Sequence, residues 1–256
     1  PKARICPIQY TTSSVPCQQK QSLPLGFIFK SKSSYILLNG NRQGRSFIVH
    51  IVDPKIEKYL NSLIPEKDEV LVEMETLARK ISFPIIGPAV GRLLAQLAMV
   101  SNAKRILELG SGFGYSAYWF AKSIGRNGKI ICTETDPKNR DRALRFLKRG
   151  GLLDKVDFRV GNALQIIDEL KGDFDIILND IDKVDYPEAF RKAIPRLKKG
   201  GLLITDNVIW SGRVVEKNPD RSTQGILQFN KLIYESSDLL TTIIPLRDGV
   251  SVSLKI

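Results

Sequence analysis

Cysteine and histidine are scarce in this sequence of 256 residues. Its three cysteines and one histidine, His50, are too few for a disulfide scaffold or for a zinc site of the Cys/His type. A hydrolase with a histidine base would depend on His50 alone, and we expect His50 to be a surface or interface residue. No uninterrupted apolar run approaches the roughly 18 residues of a membrane-spanning helix. The sequence therefore excludes an integral membrane protein and predicts no membrane partner.

Acidic residues are missing from positions 1–47, which contain seven Lys and Arg residues and no Asp or Glu. Much of the net charge of +12 therefore belongs to this segment. A basic, Ser-rich and acid-poor segment is typical of an organellar transit peptide. A flexible basic tail, or residues encoded upstream of the true start, are the alternatives. We predict that residues 1–47 form a non-catalytic extension, and that the protein is cytoplasmic unless this segment is a genuine transit peptide.

From residue 48 onward, apolar strands alternate with helices, which indicates a parallel sheet covered on both faces. The strands of this alternating part are predicted at 105–109, 129–133, 156–160, 174–178 and 202–205. Two more strands, 239–244 and 250–254, have no helix between them and are predicted to form a hairpin. Helices at 54–64, 66–80 and 89–100 precede the sheet. The predicted fold is α/β: a doubly wound, mostly parallel seven-stranded sheet with an antiparallel C-terminal hairpin edge and N-terminal helices.

The first strand ends in a glycine-rich turn that indicates a ligand site. Gly110, Gly112 and Gly114 occupy alternate positions there, and open α/β sheets bind ligands at the carboxyl ends of their strands. The G-x-G-x-G spacing differs from the G-x-G-x-x-G of dinucleotide-binding folds. Glu108, just before the turn, would repel a phosphate. It suits a cationic ligand such as a sulfonium that carries an ammonium group.

Polar residues at the next two strand ends extend this candidate site. Glu134 ends the second strand, where a carboxylate can accept hydrogen bonds from both hydroxyls of a ribose. Asn162 and Ala163 follow the third strand and are small enough to border an adenine edge. The alternative is that the glycines only form a turn and the acids only cap helices. Three features at three successive strand ends favour a cofactor site.

The fourth and fifth strands end in oxygen-bearing side chains. Asp180 follows one strand, and Asp206 and Asn207 follow the other. Because neighbouring strand ends bring these side chains near one point, two carboxylates and an amide could hold Mg²⁺ or Mn²⁺. The alternative is that Asp206 and Asn207 turn the chain and Asp180 caps the next helix.

These motifs resemble a known family. The run E-L-G-S-G from Glu108 resembles the first motif of class I S-adenosylmethionine-dependent methyltransferases. The runs D-I-D-K from Asp180 and D-N-V-I-W-S-G from Asp206 resemble metal-dependent O-methyltransferases, the group that contains catechol and caffeoyl-coenzyme A O-methyltransferases. The resemblance covers about residues 48–256 and implies a single domain with the Rossmann-like methyltransferase fold.

The resemblance implies roles for individual residues. Asp180, Asp206 and Asn207 would bind the divalent metal, with Mg²⁺ expected and Mn²⁺ or Ca²⁺ as alternatives, and Lys183 would be the catalytic lysine. Lys183 could remove the proton of the acceptor or stay protonated and stabilise the oxyanion, and the sequence does not separate these roles. The residues predicted to bind S-adenosylmethionine are Glu108, Gly110, Ser116, Glu134, Asn162, Ala163, Asp180 and Ile86.

The predicted acceptor is a hydroxyl of a catechol-like or other small molecule with vicinal oxygens. Trp210 and Arg213 are expected to border it, although Trp210 could equally be a packing aromatic residue. One branch of the family methylates a hydroxyuridine in tRNA, which makes tRNA an alternative partner.

The case for tRNA depends on clustered basic residues, for which a solvated helix face is the favoured explanation. These are Lys138, Arg142, Arg145 and Arg149 on one predicted helix, and five more basic side chains within 191–199. An NAD-dependent oxidoreductase and an inactive cofactor-binding subunit are second alternatives. Related enzymes are commonly dimers, and we expect a homodimer.

Overall fold

The computed structural model describes residues 51–65 and 68–256. The predicted extension at 1–47 and His50 lie outside these residues. The helices are α1 (Pro54–Ser62), α2 (Glu69–Lys80), α3 (Gly87–Val100), α4 (Tyr115–Ser123), α5 (Pro137–Arg149), α6 (Ala163–Glu169), α7 (Tyr186–Ala193) and α8 (Arg221–Glu235). The strands are β1 (Arg105–Leu109), β2 (Lys129–Glu134), β3 (Val156–Val160), β4 (Phe174–Asn179), β5 (Leu197–Thr205), β6 (Leu239–Ile244) and β7 (Val250–Lys255).

The strands form one seven-stranded sheet in the order β3-β2-β1-β4-β5-β7-β6. Strands β1 to β5 are parallel, and β7 is antiparallel to both β5 and β6. The predicted mostly parallel sheet with a C-terminal hairpin edge is therefore confirmed. The chain reverses its direction of winding between β1 and β4, and a crevice for a ligand opens at the carboxyl ends of the strands at such a point.

Apolar side chains fill both faces of the sheet. Because successive side chains of a strand point to opposite faces, Ile106 and Leu107 of β1 enter two different cores, and both are fully buried. Helices α2 to α5 supply the first core, for example through Leu94 and Phe120. Helices α6 to α8 supply the second, for example through Phe229. The doubly wound arrangement is thus confirmed. Among the described residues, every helix falls short of the length and apolar character that a membrane crossing requires.

Several element boundaries differ from the prediction by a few residues, and three of them have a clear structural reason. Helix α3 begins at Gly87 because Pro88 fits the first turn of a helix, where no amide donor is needed. Strand β5 begins at Leu197, which pairs with Phe174 of β4, whereas the sequence predicted strand only from 202. The sequence predicts the last helix only from residue 225, but α8 begins at Arg221 because the Asp220 carboxylate accepts a hydrogen bond from the amide of Thr223 at 2.8 Å.

The contact between α3 and α4 generates a stability prediction. A Cβ built on Gly91 would lie 2.2 Å from Nε1 of Trp119. We expect Gly91→Ala to lower the free energy of unfolding by about 1–3 kcal/mol, because the ring must move within a packed core. Urea denaturation measures this change. The control is Gly125→Ala, where a Cβ would meet no heavy atom within 4 Å, and equal destabilisation by both variants would contradict the prediction.

Candidate active site

A cavity of about 640 Å³ opens at the carboxyl ends of β1, β2, β4 and β5. It brings together most of the residues that the sequence predicted for cofactor, metal and acceptor. The predicted residues in its wall are Ile86, Gly110, Ser116, Glu134, Asn162, Ala163, Asp180, Lys183, Asp206, Asn207 and Trp210. Glu108 and Arg213 are not part of the wall.

The glycine-rich turn passes directly over the end of β4. Gly110 has a φ of +85°, and a Cβ built on it would lie 2.5 Å from the carbonyl oxygen of Asp180. The next amide, of Ser111, donates to the carbonyl of Thr133 at 2.8 Å and so ties the turn to β2. Only glycine fits at Gly110, because both the backbone conformation and the neighbouring peptide exclude a side chain.

Glu108 lies beneath this turn. Its side chain is fully buried, and Oε1 has no hydrogen-bond partner among the described residues. The Sγ of Cys132 donates to Oε2 at 3.5 Å. Burial raises the pKa of Glu108 to about 7, while the hydroxyls of Ser111 and Ser116 act in the opposite direction. Glu108 therefore places a carboxyl group under the cofactor loop, with the glycine turn between it and the cavity.

Two of the predicted cofactor residues also hold their own loops in place. The Oε1 of Glu134 accepts a hydrogen bond from the amide of Asp136 at 2.9 Å. The Oδ1 of Asn162 caps α6 by accepting from the amides of Leu164 at 2.8 Å and Gln165 at 3.3 Å. Asn162 thus caps a helix, a role that the sequence analysis did not predict for it, and it still forms part of the cavity wall.

Two acidic side chains meet where β4 and β5 end. The amide of Asp180 donates to the carbonyl of Leu109 at 2.9 Å, and that of Asp206 to the carbonyl of Asn179 at 3.3 Å. These bonds extend the sheet ladder to the acids and bring their side chains into one wall. Burial and the nearby charge of Asp180 raise the pKa of Asp206 to about 7. Burial also raises the pKa of Asp180, although the charge of Lys183 opposes the shift.

The third predicted metal ligand, Asn207, has a strained backbone and a polar neighbour. Its φ is +59°, a conformation that Asn adopts more readily than most residues. Its Nδ2 donates to Oδ2 of Asp248 at 3.4 Å. The amide of Ser211 donates to the other carboxylate oxygen of Asp248. Asp248 thus links the loop after β5 to the hairpin, and by binding Nδ2 it leaves the amide oxygen of Asn207 for a metal.

The donor set fits a divalent cation. Oδ1 of Asp206 is buried without a hydrogen-bond partner among the described residues, beside a second carboxylate that repels it. A cation would satisfy this oxygen and remove the repulsion. No group of three His, Cys, Asp or Glu side chains suited to a metal occurs in residues 51–65 and 68–256. The candidate set instead combines the two carboxylates of Asp180 and Asp206 with the amide of Asn207.

Lys183 is held at the same wall by several groups. Its Nζ donates to Oδ1 of Asp180 at 2.9 Å and to the carbonyl of Ile181 at 3.2 Å. The same Nζ lies 5.2 Å from the ring centroid of Tyr186 and 5.6 Å from that of Trp210. Only 12% of the Lys183 side chain is exposed, so its ammonium group is aimed at the cavity and not at bulk solvent.

The two predicted acceptor residues have different positions. Trp210 belongs to the cavity wall and has a φ of +50°. Arg213 instead forms ion pairs with Asp220 at 2.6 Å and Glu216 at 3.9 Å. These pairs lie within the loop that precedes α8, so Arg213 stabilises that loop.

Among the residues that the sequence analysis did not assign to the site, three affect its charge or geometry most directly. Arg247 and Asp248 line the cavity from the connection between β6 and β7. Because β7 is antiparallel to β5, its first residues lie at the same sheet edge as the carboxyl ends of the parallel strands, a signal that the predicted hairpin already contained. Gly225 of α8 packs on Lys183, with a built Cβ 2.2 Å from the Lys183 carbonyl oxygen. No sequence pattern indicates that contact.

Comparison with known proteins agrees with this geometry. Residues 62–256 match the family model described as O-methyltransferase. A catechol O-methyltransferase from Niastella koreensis is 34% identical over 196 residues, which cover 74% of this chain and 89% of that protein. Caffeoyl-CoA O-methyltransferase 1 from Eucalyptus globulus is 30% identical over 210 residues, which cover 76% of this chain and 85% of that protein.

Solved structures of other O-methyltransferases are also similar to this chain. The O-methyltransferase TomG from Streptomyces achromogenes, solved with S-adenosylmethionine, has a TM-score of 0.73 and 29% identity and covers 78% of this chain and 96% of its own. The O-methyltransferase from Bacillus cereus, solved with S-adenosylhomocysteine, has a TM-score of 0.73 and 29% identity, and the match covers 79% of this chain and 97% of that one.

The fold and the cavity define an S-adenosylmethionine-dependent methyltransferase of class I. The chain belongs to the O-methyltransferase family, and to the part of it that includes catechol and caffeoyl-CoA O-methyltransferases. It is an enzyme that uses S-adenosylmethionine. The alternatives of a nicotinamide-dependent oxidoreductase and an inactive cofactor-binding subunit are therefore rejected.

The raised pKa of Glu108 predicts how stability depends on pH. The ordinary pKa is 4.5 and the folded value is about 7, so the folded protein binds the proton more tightly. The contribution of Glu108 to the free energy of unfolding is therefore full below about pH 4.5 and is lost as the pH rises through about 7. We expect Glu108→Gln to remove roughly 3 kcal/mol of this pH dependence, measured by urea denaturation between pH 5 and 8 without cofactor. The control is Glu69→Gln, an exposed position, which should retain the wild-type pH dependence of the free energy of unfolding. The same pH dependence in Glu108→Gln and in the wild type would refute the prediction.

The contact of Gly225 with Lys183 predicts an effect on catalysis. In Gly225→Ala the new methyl group must displace the Lys183 backbone, because its carbon would lie 2.2 Å from the Lys183 carbonyl oxygen. We expect kcat to fall by about tenfold or more, since small displacements of a catalytic group are costly. Calorimetry should show S-adenosylhomocysteine affinity within about twofold of wild type. The control on the same helix is exposed Lys231→Ala, and a Gly225→Ala enzyme with normal kcat would show that Lys183 tolerates the shift.

Proposed function

We propose that this enzyme transfers the methyl group of S-adenosylmethionine to one hydroxyl of a small molecule with two vicinal oxygens, in a reaction that depends on a divalent metal. The observation that carries the proposal is the convergence of Asp180, Asp206 and Asn207 beside the ammonium group of Lys183, with one carboxylate oxygen that has no partner among the described residues. A catechol is the simplest acceptor that offers two adjacent oxygens to such a site.

Different parts of the cavity would bind the cofactor, the metal and the acceptor. The glycine turn at Gly110 and the carboxylate of Glu134 border the part of the cavity that suits the nucleoside and methionine of the cofactor. Asp180, Asp206 and Asn207 would hold Mg²⁺ or a similar ion, which when bound lowers the pKa of a coordinated hydroxyl and orients it. Trp210 forms the wall beside Lys183, where an aromatic ring could pack.

Lys183 is the group placed to act on the acceptor hydroxyl. As the acceptor oxygen forms a bond to the methyl carbon, the carbon–sulfur bond breaks and its electron pair stays on sulfur. The hydroxyl proton must leave. Either neutral Lys183 accepts it, or it passes to water and protonated Lys183 stabilises the oxyanion that remains. A pH profile of kcat separates these roles, because a base must be deprotonated and a stabilising cation must be protonated.

The alternative acceptor, tRNA, gains no support from the basic side chains. On α5, Arg149 pairs with Glu73 of α2, and Arg142 donates to Asn139 at 2.9 Å. Within 191–199, Arg191, Lys192, Arg196 and Lys198 each contact an acidic side chain or a carbonyl of the protein. These contacts favour a structural role for six of the nine basic side chains in the two clusters. The homodimer stays a prediction.

Calorimetric titration tests the proposed function. S-adenosylhomocysteine should bind to the wild type with Mg²⁺ and with EDTA, whereas a simple catechol should bind only with Mg²⁺. We expect Asp206→Asn to retain cofactor binding and to lose about 100-fold or more in catechol methylation, because it removes a charged ligand of the metal.

The control variant is exposed Asp238→Asn, which removes the same charge far from the cavity and should behave as wild type. Methylation of catechol in EDTA at an undiminished rate would refute metal dependence. Binding of the cofactor with no binding of any catechol would refute the acceptor class and make tRNA the next acceptor to assay.

A further inference from the structure

Arg247 is a cavity residue whose charge the proposed reaction does not use. It lies in the connection between β6 and β7 and lines the cavity next to Asp248. Its Nη1 is buried and has no hydrogen-bond partner among the described residues. Within the same part of the chain, no carboxylate lies close enough to Arg247 to form an ion pair. A buried guanidinium N–H without a partner is costly, and a ligand that accepts from it would remove that cost.

The backbone holds Arg247 in a conformation that is unfavourable for arginine. Its φ is +51°, in the left-handed region that glycine adopts most easily. The connection is anchored to the loop after β5, because the amide of Val208 donates to the carbonyl of Gly249 at 3.0 Å and that of Ile209 to the carbonyl of Asp248 at 2.9 Å. Strain of this kind is stored most often at binding sites, where a fixed geometry is useful.

The position of the Arg247 side chain is also constrained. A Cβ built on Gly87, at the start of α3, would lie 3.4 Å from Cδ of Arg247. The side chain therefore runs against the first turn of α3, and its head reaches a cavity wall that is rich in acids. The acidic residues of that wall are Glu134, Asp180, Asp182, Asp185, Asp206 and Asp248.

Arg247 differs from the other basic residue of this wall. Lys183 is paired with Asp180 at 2.9 Å, whereas Arg247 has no such pair among the described residues. The planar guanidinium group presents two parallel N–H donors, the geometry that binds a carboxylate with two hydrogen bonds. The unpaired guanidinium of Arg247 therefore offers a local binding point for a carboxylate within a wall that is otherwise acidic.

We propose that Arg247 binds a carboxylate of the methyl acceptor, so that the enzyme prefers aromatic acids with two adjacent hydroxyls over neutral catechols. This inference rests on the proposed function, which places the acceptor hydroxyls at Asp180, Asp206 and Asn207. Arg247 directly precedes Asp248, which contacts Asn207 at 3.4 Å. Its charge also acts on both Asp180 and Asp206. Arg247 therefore lies on the metal side of the cavity, where the acceptor binds.

The test compares 3,4-dihydroxybenzoate with its methyl ester, a neutral molecule with the same catechol ring. In the wild type we expect kcat/KM to be about tenfold or more higher for the acid than for the ester, the effect of one charge-assisted pair. Arg247→Gly should remove this preference, and Arg247→Lys should restore part of it. Arg247→Gly should also raise Tm by a few degrees, because glycine relieves the strain at φ +51°. The control is exposed Arg126→Gly, which lowers the net charge equally and should retain the acid preference.

A second measurement separates the two carboxylates that Arg247 could meet, since the methionine part of the cofactor also carries one. S-adenosylhomocysteine affinity, measured by calorimetry, should differ by less than about threefold between wild type and Arg247→Gly. A loss of about tenfold would assign Arg247 to the cofactor and overturn the proposal. Equal kcat/KM for acid and ester in the wild type would overturn it as well, with the proposed function intact. If the wild type methylates neither compound, the proposed function fails first and this inference fails with it.

Discussion

The repulsion between the carboxylates of Asp180 and Asp206 is the interaction on which the active site depends. Backbone hydrogen bonds hold both residues at adjacent strand ends, so the two carboxylates start from neighbouring, fixed positions. In the protein alone, the charges of Lys183 and Arg247 offset part of this repulsion. One oxygen of Asp206 has no hydrogen-bond partner in the part of the chain that the structure describes. Burial therefore disfavours the charged form of both carboxylates, and the charge of Asp180 adds to this effect at Asp206.

The C-terminal hairpin completes this site. An all-parallel sheet would present only loops that lead into helices at its carboxyl edge. Because β7 enters the sheet in the opposite direction between β5 and β6, the turn before it also lies at that edge. The turn delivers Asp248, which binds the amide group of Asn207, and Arg247, which adds a positive charge to the wall. The hairpin therefore contributes to the chemistry as well as closing the sheet.

Much of the site could be predicted from the sequence because strand ends are recognisable. Gly110, Glu134, Asp180 and Asp206 each follow an apolar strand, and a parallel sheet brings all strand ends to one edge. The position of Glu108 was not predicted correctly, because the sequence alone does not show that its side chain is buried outside the cavity wall. Arg213 was assigned to the acceptor from its loop, but its charge is satisfied by Asp220 and Glu216.

The sequence by itself determined the class of fold, the order of the strands along the chain and most of the predicted residues that line the cavity, because apolar periodicity and strand-end motifs are local. Only the tertiary structure decided which side chains are paired and which are not. Lys183 and Arg247 are both basic residues of one cavity, yet only Lys183 has a carboxylate partner among the described residues. The contact of Gly225 with Lys183 likewise depends on how α8 packs against the segment after β4. Such pairings join residues far apart in the chain, and no local pattern encodes them.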